Sequence, residues 1–324
     1  MPASTPEHAA HRARPPAGPG PADAAAKRAE AEEASLFAHA AVRPDATAAY
    51  GELPDQIVDF YRPRAAPGAT GRPAPLVVVL HGGAWRAPYD RRHISPFAAH
   101  LAGCGFAVAS VEYRRGGEEP PSEGDGSAYP REGAPAAGRW PDTFDDIATA
   151  VDAVPALAMR ALGADSVDPR RVVLTGHSAG GHLALWAAAR NALPLDSPWH
   201  RTSPPPLRGV VALAPIADFA SAIRLRVCSD AVVQFLGGPE HVTARLPHAD
   251  PAALLPTGIA TTIVQGTTDN VVPPQVAQAF AEASALSGEE VTEAVLDGIG
   301  HFPLIDPAAG ACAVVTEEIA QLAW

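Results

Sequence analysis

Gly176-His177-Ser178-Ala179-Gly180 is a G-x-S-x-G segment, and its surroundings give the serine a chemical reading. Arg171–Thr175 before it is β-branched and apolar, and the Ala-rich stretch after it, GHLALWAAA, is helical in composition. A serine on so sharp a strand-to-helix turn is held in a strained conformation with its hydroxyl exposed, and the flanking glycines let neighbouring segments pack closely. The first amide of the helix, that of Ala179, faces developing negative charge. A neutral serine hydroxyl is a weak nucleophile, so this chemistry needs a base nearby and an acceptor that fixes the base's tautomer.

Two later segments meet that need. Gln265-Gly-Thr-Thr-Asp269 closes an apolar run, and Gly298-Ile-Gly-His301-Phe-Pro follows the next one. The order Ser178, Asp269, His301 makes Ser178 the nucleophile, His301 the base and Asp269 its orienting acid. Asp218, after GVVALAPIA, is a rival acid, while Asp297 lies too close to His301 along the chain. His177 and His182 flank the serine turn and read as packed or partly solvated side chains. Asp145 and Asp146, near a helix start, read as charges complementing its dipole. Acyl transfer also requires donors opposite the nucleophile. His81-Gly82-Gly83-Ala84-Trp85 directly follows PLVVVL, and its small residues allow the amides of Gly83 and Ala84 to join that of Ala179 as an oxyanion hole.

These residues need a sheet to carry them. From about residue 47 short β-branched runs alternate with longer Ala-rich stretches, the pattern of an α/β protein with a largely parallel sheet. The spacing predicts strands at 56–61, 75–80, 106–113, 171–176, 209–215, 261–266 and 290–296. It predicts helices at about 92–102, 142–162, 179–191, 274–286 and 307–322, the last opened by Asp306 as N-cap and Pro307. Residues 1–46 form a tail: a Pro/Ala/Gly-rich start expected to be disordered to about residue 22, then a helical stretch with Leu36 and Phe37 able to dock. The catalytic domain is 47–324, interrupted by a Gly/Pro-rich excursion at 116–139, a candidate lid, and by 218–256, which holds short helical patches without a strand.

The chain carries 24 Lys and Arg against 36 Asp and Glu, a formal charge of −12, and Lys27 is its only lysine. This balance argues against a nucleic-acid or anionic-membrane surface. The twelve histidines and three cysteines show no metal-ligand spacing, and Cys104, Cys228 and Cys312 read as buried free thiols. No cofactor or metal is expected. With no apolar run near the ~20 residues of a membrane span and no signal-peptide pattern, a cytoplasmic location is expected.

HGGAW, YRR, WPDTFDDI, GHSAGGHLAL, QGTTDNVVP and GIGHF, in this order, resemble the esterase-like α/β-hydrolases, a group that includes acetyl and feruloyl esterase-like enzymes and kynurenine formamidases. The resemblance spans residues 47–324. It implies an eight-stranded sheet, the eighth strand near 47–51, and cofactor-free hydrolysis through an acyl-enzyme. The sequence departs from the group's commoner HGGG pattern at Ala84. The implied substrate is a small carboxylic ester, with an aryl formamide as the alternative; a non-catalytic binding protein on the same fold is the reading from another class. Oligomeric state is not encoded in any feature of the sequence.

Overall fold

The computed structural model describes residues 21–64, 72–117 and 137–324. After a first helix, α1 (Pro21–Phe37), the chain runs through β1 (Ala46–Ala49), β2 (Ile57–Tyr61), β3 (Ala74–Leu80), α2 (Ser95–Gly103), β4 (Ala107–Val111), α3 (Asp142–Leu162), β5 (Val167–His177) and α4 (Ala179–Ala188). It continues with β6 (Gly209–Leu213), the short helices α5 (Phe219–Arg224), α6 (Ala231–Phe235) and α7 (Val242–Ala249), then β7 (Thr261–Gly266), α8 (Pro274–Ser287), β8 (Val291–Leu296) and α9 (Gly310–Ala323).

The strands form one sheet in the order β1-β2-β4-β3-β5-β6-β7-β8. β1 and β2 join antiparallel at one edge, and the rest run parallel from β4 to β8. Every residue of β3 is buried, as expected of a run with apolar side chains on both faces. Leu76, Val78 and Leu80 enter the core with α3 and α4, while Val77 and Val79 enter the one with α2 and α9. α4, HLALWAA after its glycines, is buried on all sides and needs no polar face. The outer strand β8 instead has only half-buried and exposed positions.

This is the α/β-hydrolase sheet that the resemblance implies, with β1 at 46–49 as its eighth strand. From β3 the chain order runs to β4 on one side and to β5 on the other, so the loops leaving the carboxyl ends of β3 and β5 flank a crevice.

The last helix begins later than expected. Asp306 does not cap it: α9 starts at Gly310, with Ala309 in the cap position. The Asp306 carboxylate is occupied elsewhere, accepting from Ser35 Oγ at 2.5 Å, His39 Nε2 at 2.7 Å and the amide of Ala308 at 2.8 Å. β5 starts four residues before the expected Arg171, and β6 stops at Leu213 because Ala214 turns the chain with φ +41°. Of the 116–139 excursion, 118–136 lies outside the described residues. Among those described, no helix is long and apolar enough to cross a membrane.

Candidate active site

Ser178 joins β5 to α4 with φ +57° and ψ −118°, a conformation that L-residues rarely adopt. Tertiary contacts hold it there. Its amide donates to Leu213 O (2.8 Å), and its carbonyl accepts from His182 N (3.1 Å) and Ile216 N (3.3 Å). The two motif glycines allow backbone-on-backbone packing. A Cβ on Gly176 would lie 2.2 Å from Gly180 O, and one on Gly180 would lie 2.1 Å from Leu80 O and 2.4 Å from His81 O. Any side chain at either place collides with main chain.

The turn after β3 meets the serine from the other side of the crevice. Gly82 packs so closely that an added Cβ would be 2.9 Å from His177 O and 3.3 Å from Ser178 Cβ. Gly83, Ala84 and Trp85 then take successive positive φ values of 104°, 51° and 56°. Polar and aromatic contacts brace this turn. His81 Nε2 lies 3.0 Å from Glu112 Oε1, and the Tyr113 hydroxyl donates to His81 O at 2.7 Å. Glu112 also pairs with Arg115 and accepts from the amides of Arg91 and Tyr113. Burial, and next the neighbouring Arg115 charge, lower the His81 pKa to about 3, so its imidazole is neutral. Trp85 is stacked on Phe235 with centroids 4.3 Å apart and meets His182 edge-on at 5.1 Å.

Asp269 and His301 come from the loops after β7 and β8. His301 Nδ1–H donates to Asp269 Oδ2 at 2.7 Å, which assigns the tautomer because the carboxylate can only accept. The other oxygen, Oδ1, accepts from the amides of Val271 and Val272, both at 2.9 Å, so the carboxylate is fixed before it meets the imidazole. His177 Nε2–H donates to His301 O (3.0 Å), and the two rings lie 4.2 Å apart. The rival acids are elsewhere. Asp218 caps α5 by accepting from Ser221 N at 2.6 Å, and Asp297 accepts from Thr267 Oγ1 at 3.2 Å.

Ser178 and His301 line one cleft of about 490 Å³, with Gly83, Ala84 and His177. Its other walls are chiefly apolar: Leu36, Tyr89, Val271, Phe302 and Ile305. Arg86, His93 and Cys228, which no motif singles out, also line it. Arg86 donates from Nη2 to Cys228 O (3.0 Å) and Gln234 Oε1 (3.1 Å), tying the β3 turn to the short-helix segment. Burial pushes the Cys228 thiol up to about 12, so it stays protonated. Their only signal in the sequence is proximity: Arg86 and His93 follow HGGAW closely, and Cys228 lies in the strandless 218–256 stretch.

Several expectations need correction. Of the three cysteines only Cys312 is buried; Cys104 is exposed and Cys228 intermediate, because Cys104 follows the end of α2 at the surface. Of the two alternatives for His177 and His182 the packed one holds: both are buried, His182 on the wholly buried α4. Asp146 is no solvated dipole partner but a buried carboxylate gripped by Arg114 at 2.7 Å and by Gln56 at 2.7 Å. Among the described residues no cluster of three or more His, Cys, Asp or Glu could hold a metal ion.

Comparison with known proteins points the same way. The family described as BD-FAE matches residues 134–283. Esterase LipC of Mycobacterium tuberculosis is 25% identical over 282 residues, covering 80% of this chain; the chain spans only 60% of the length of that relative. Among solved structures, an inhibited esterase B from Lactobacillus rhamnosis superposes with a TM-score of 0.67 at 19% identity, covering 91% of this chain and 92% of that one. A truncated carbohydrate esterase from gut microbiota gives 0.65 at 19% identity, covering 88% and 99%. At that identity the structural likeness speaks for the fold alone. Fold, motifs and curated relatives agree in their likeness to the esterase-like α/β-hydrolases.

Proposed function

We propose that this protein hydrolyses small carboxylic esters through an acyl-enzyme, with Ser178 as nucleophile. The observation that carries the reading is the 2.7 Å His301–Asp269 contact beside a serine held at φ +57° in a shared cleft. With Nδ1–H committed to Asp269, His301 has Nε2 left as the base. It takes the Ser178 proton as Oγ attacks the ester carbonyl, and Asp269 stabilises the imidazolium that forms. The amides of Gly83, Ala84 and Ala179 receive the oxyanion; those of a helix's first turn have no partner within the helix. Collapse expels the alcohol with the proton from His301, and a water repeats the sequence to release the acid. The largely apolar lining fits an uncharged acyl or alkyl group. The catalytic unit is residues 47–324.

Ser178→Ala should abolish nearly all turnover of p-nitrophenyl esters and all labelling by a fluorophosphonate, with the fold intact. Wild-type-like activity would overturn the proposal. Asp269→Asn should lower kcat by roughly 10⁴, the loss known for an unrelated triad, whereas Asp218→Asn should do far less. Assaying N-formylkynurenine beside the esters separates esterase from formamidase activity.

A further inference from the structure

The cleft has a wall that comes from outside the strands and loops of the hydrolase core. Leu36 and Phe37 end α1, ahead of the first strand and outside the segment matched by the family comparison, yet both line the cleft with Ser178 and His301. Leu36 is 2% exposed, while Phe37 is 43% exposed and sits at the mouth. The Phe37 ring reaches both sides of that mouth, 6.1 Å from Phe302 in the base loop and 6.5 Å and 6.4 Å from Tyr89 and His93 beyond the β3 turn.

Three polar side chains of α1 and the residues after it, Glu32, Ser35 and His39, bond the segment that carries His301. Glu32 Oε1 accepts from Gly300 N at 3.3 Å, and Ser35 and His39 both bond Asp306. The packing at Gly300 is so close that a Cβ there would strike the Glu32 carboxylate, 1.9 Å away. The return to the sheet is tied as well: Val42 N donates to Ser95 Oγ at 2.8 Å, and Val42 O accepts from the Tyr61 hydroxyl at 3.1 Å. A helix docked by these bonds onto the base loop, with its two terminal apolar side chains turned into the cleft, sets how far a substrate can extend.

Resting on the esterase reading above, we infer that Leu36 and Phe37 are specificity-determining residues: the end of α1 closes the cleft against long chains and restricts the substrate to esters with a short, uncharged, apolar substituent. Removing ring volume from Phe37 lengthens the cleft toward solvent, and enlarging it shortens the cleft. One hydrophobic position can shift discrimination by tenfold or more.

The test uses the full-length chain and two alkyl fluorophosphonates, one ethyl and one octyl, with the rate of Ser178 labelling as readout. The wild type should label faster with the ethyl probe. Phe37→Ala should raise the octyl-to-ethyl rate ratio by about tenfold, and Phe37→Trp should lower it. Leu195→Ala, exposed and outside the cleft, should leave the ratio as it is. Phe37 is partly exposed, so both variants are expected to fold, and equal melting temperatures would establish that. Labelling of Ser178 with the same ratio in all three variants would overturn the α1 wall alone. Failure of both probes to label the wild type at Ser178 would overturn the hydrolase reading, and the wall with it.

Discussion

Two turns face each other across the crevice, and each stores backbone strain, but they are held in different ways. The β5–α4 turn around Ser178 is braced by main chain against main chain: Gly176 on Gly180, and Gly180 on Leu80 and His81. The turn after β3 keeps three successive residues at positive φ and is braced largely by side chains, with His81 on Glu112, Tyr113 on the His81 carbonyl, and Arg91 and Arg115 around the same carboxylate. Packing of the first kind leaves no room for accommodation, because backbone atoms cannot rotate away. The second kind can yield gradually, because a side chain can be replaced by one that keeps part of its bonding. The serine turn should therefore fail in an all-or-none manner and the β3 turn by degrees.

Gly180→Ala attacks the point where the two turns touch. With Leu80 O and His81 O both inside 2.5 Å of the new methyl, destabilisation of about 3 kcal/mol or more is expected, with turnover lost. Urea unfolding and ester hydrolysis measure the two effects, and a near-native Cm would refute the rigid-contact account. Glu112→Gln keeps the shape but removes the charge that pairs with Arg115 and leaves Arg91 paired with Asp59 alone. We expect a cost of about 2 kcal/mol, below the roughly 3–5 kcal/mol of a fully buried broken pair because both arginines are partly exposed. Turnover should fall while ethyl fluorophosphonate still labels Ser178, and an equal loss of labelling would show that the β3 turn and the serine turn fail together.

Acid should weaken both turns alike. Burial is the first cause of the lowered pKa in His81, His93 and His182, all to about 3, and in His177, which lies well below its ordinary value. Such imidazoles stay neutral in the folded chain and gain protons on unfolding. Their contribution is complete above the unfolded value of about 6.5 and is lost as pH falls below it, for His81, His93 and His182 down to about 3. Each histidine contributes a slope of up to about 1.4 kcal/mol per pH unit in that window. His81→Asn and His177→Asn should each flatten the stability profile by about one proton, as read by urea unfolding between pH 4 and 7. A flattening confined to one variant would show that only one turn is sealed from water.

The smallest effect is expected at Ala84, whose φ of +51° favours glycine. Ala84→Gly should stabilise by about 0.5 kcal/mol, because relief of strain is partly offset by the greater freedom of glycine in the unfolded chain. Thermal unfolding would detect the change. A loss instead would mean that the buried Ala84 methyl contributes more by packing than its backbone costs.

What the sequence determined by itself was local. The glycines of G-x-S-x-G, the apolar runs before and after them, and the order of Asp269 and His301 follow from neighbours along the chain, whose conformational preferences and periodicity act over a few residues. The eight-stranded sheet was anticipated from those runs together with the family resemblance. The choice of Asp269 over Asp218 as the partner of His301 was different, since both acids follow apolar strands; only the structure gives one a 2.7 Å contact with His301 and the other a helix to cap. The same holds for Asp306, which local rules make a helix cap and which instead bonds Ser35 and His39 from 271 and 267 positions away. The α1 wall, the Glu112 brace under His81 and the place of Arg86 beside Cys228 also belong to the tertiary structure. Each is a side-chain pairing between segments far apart in sequence, and such pairings are decided by how the completed sheet brings its loops together.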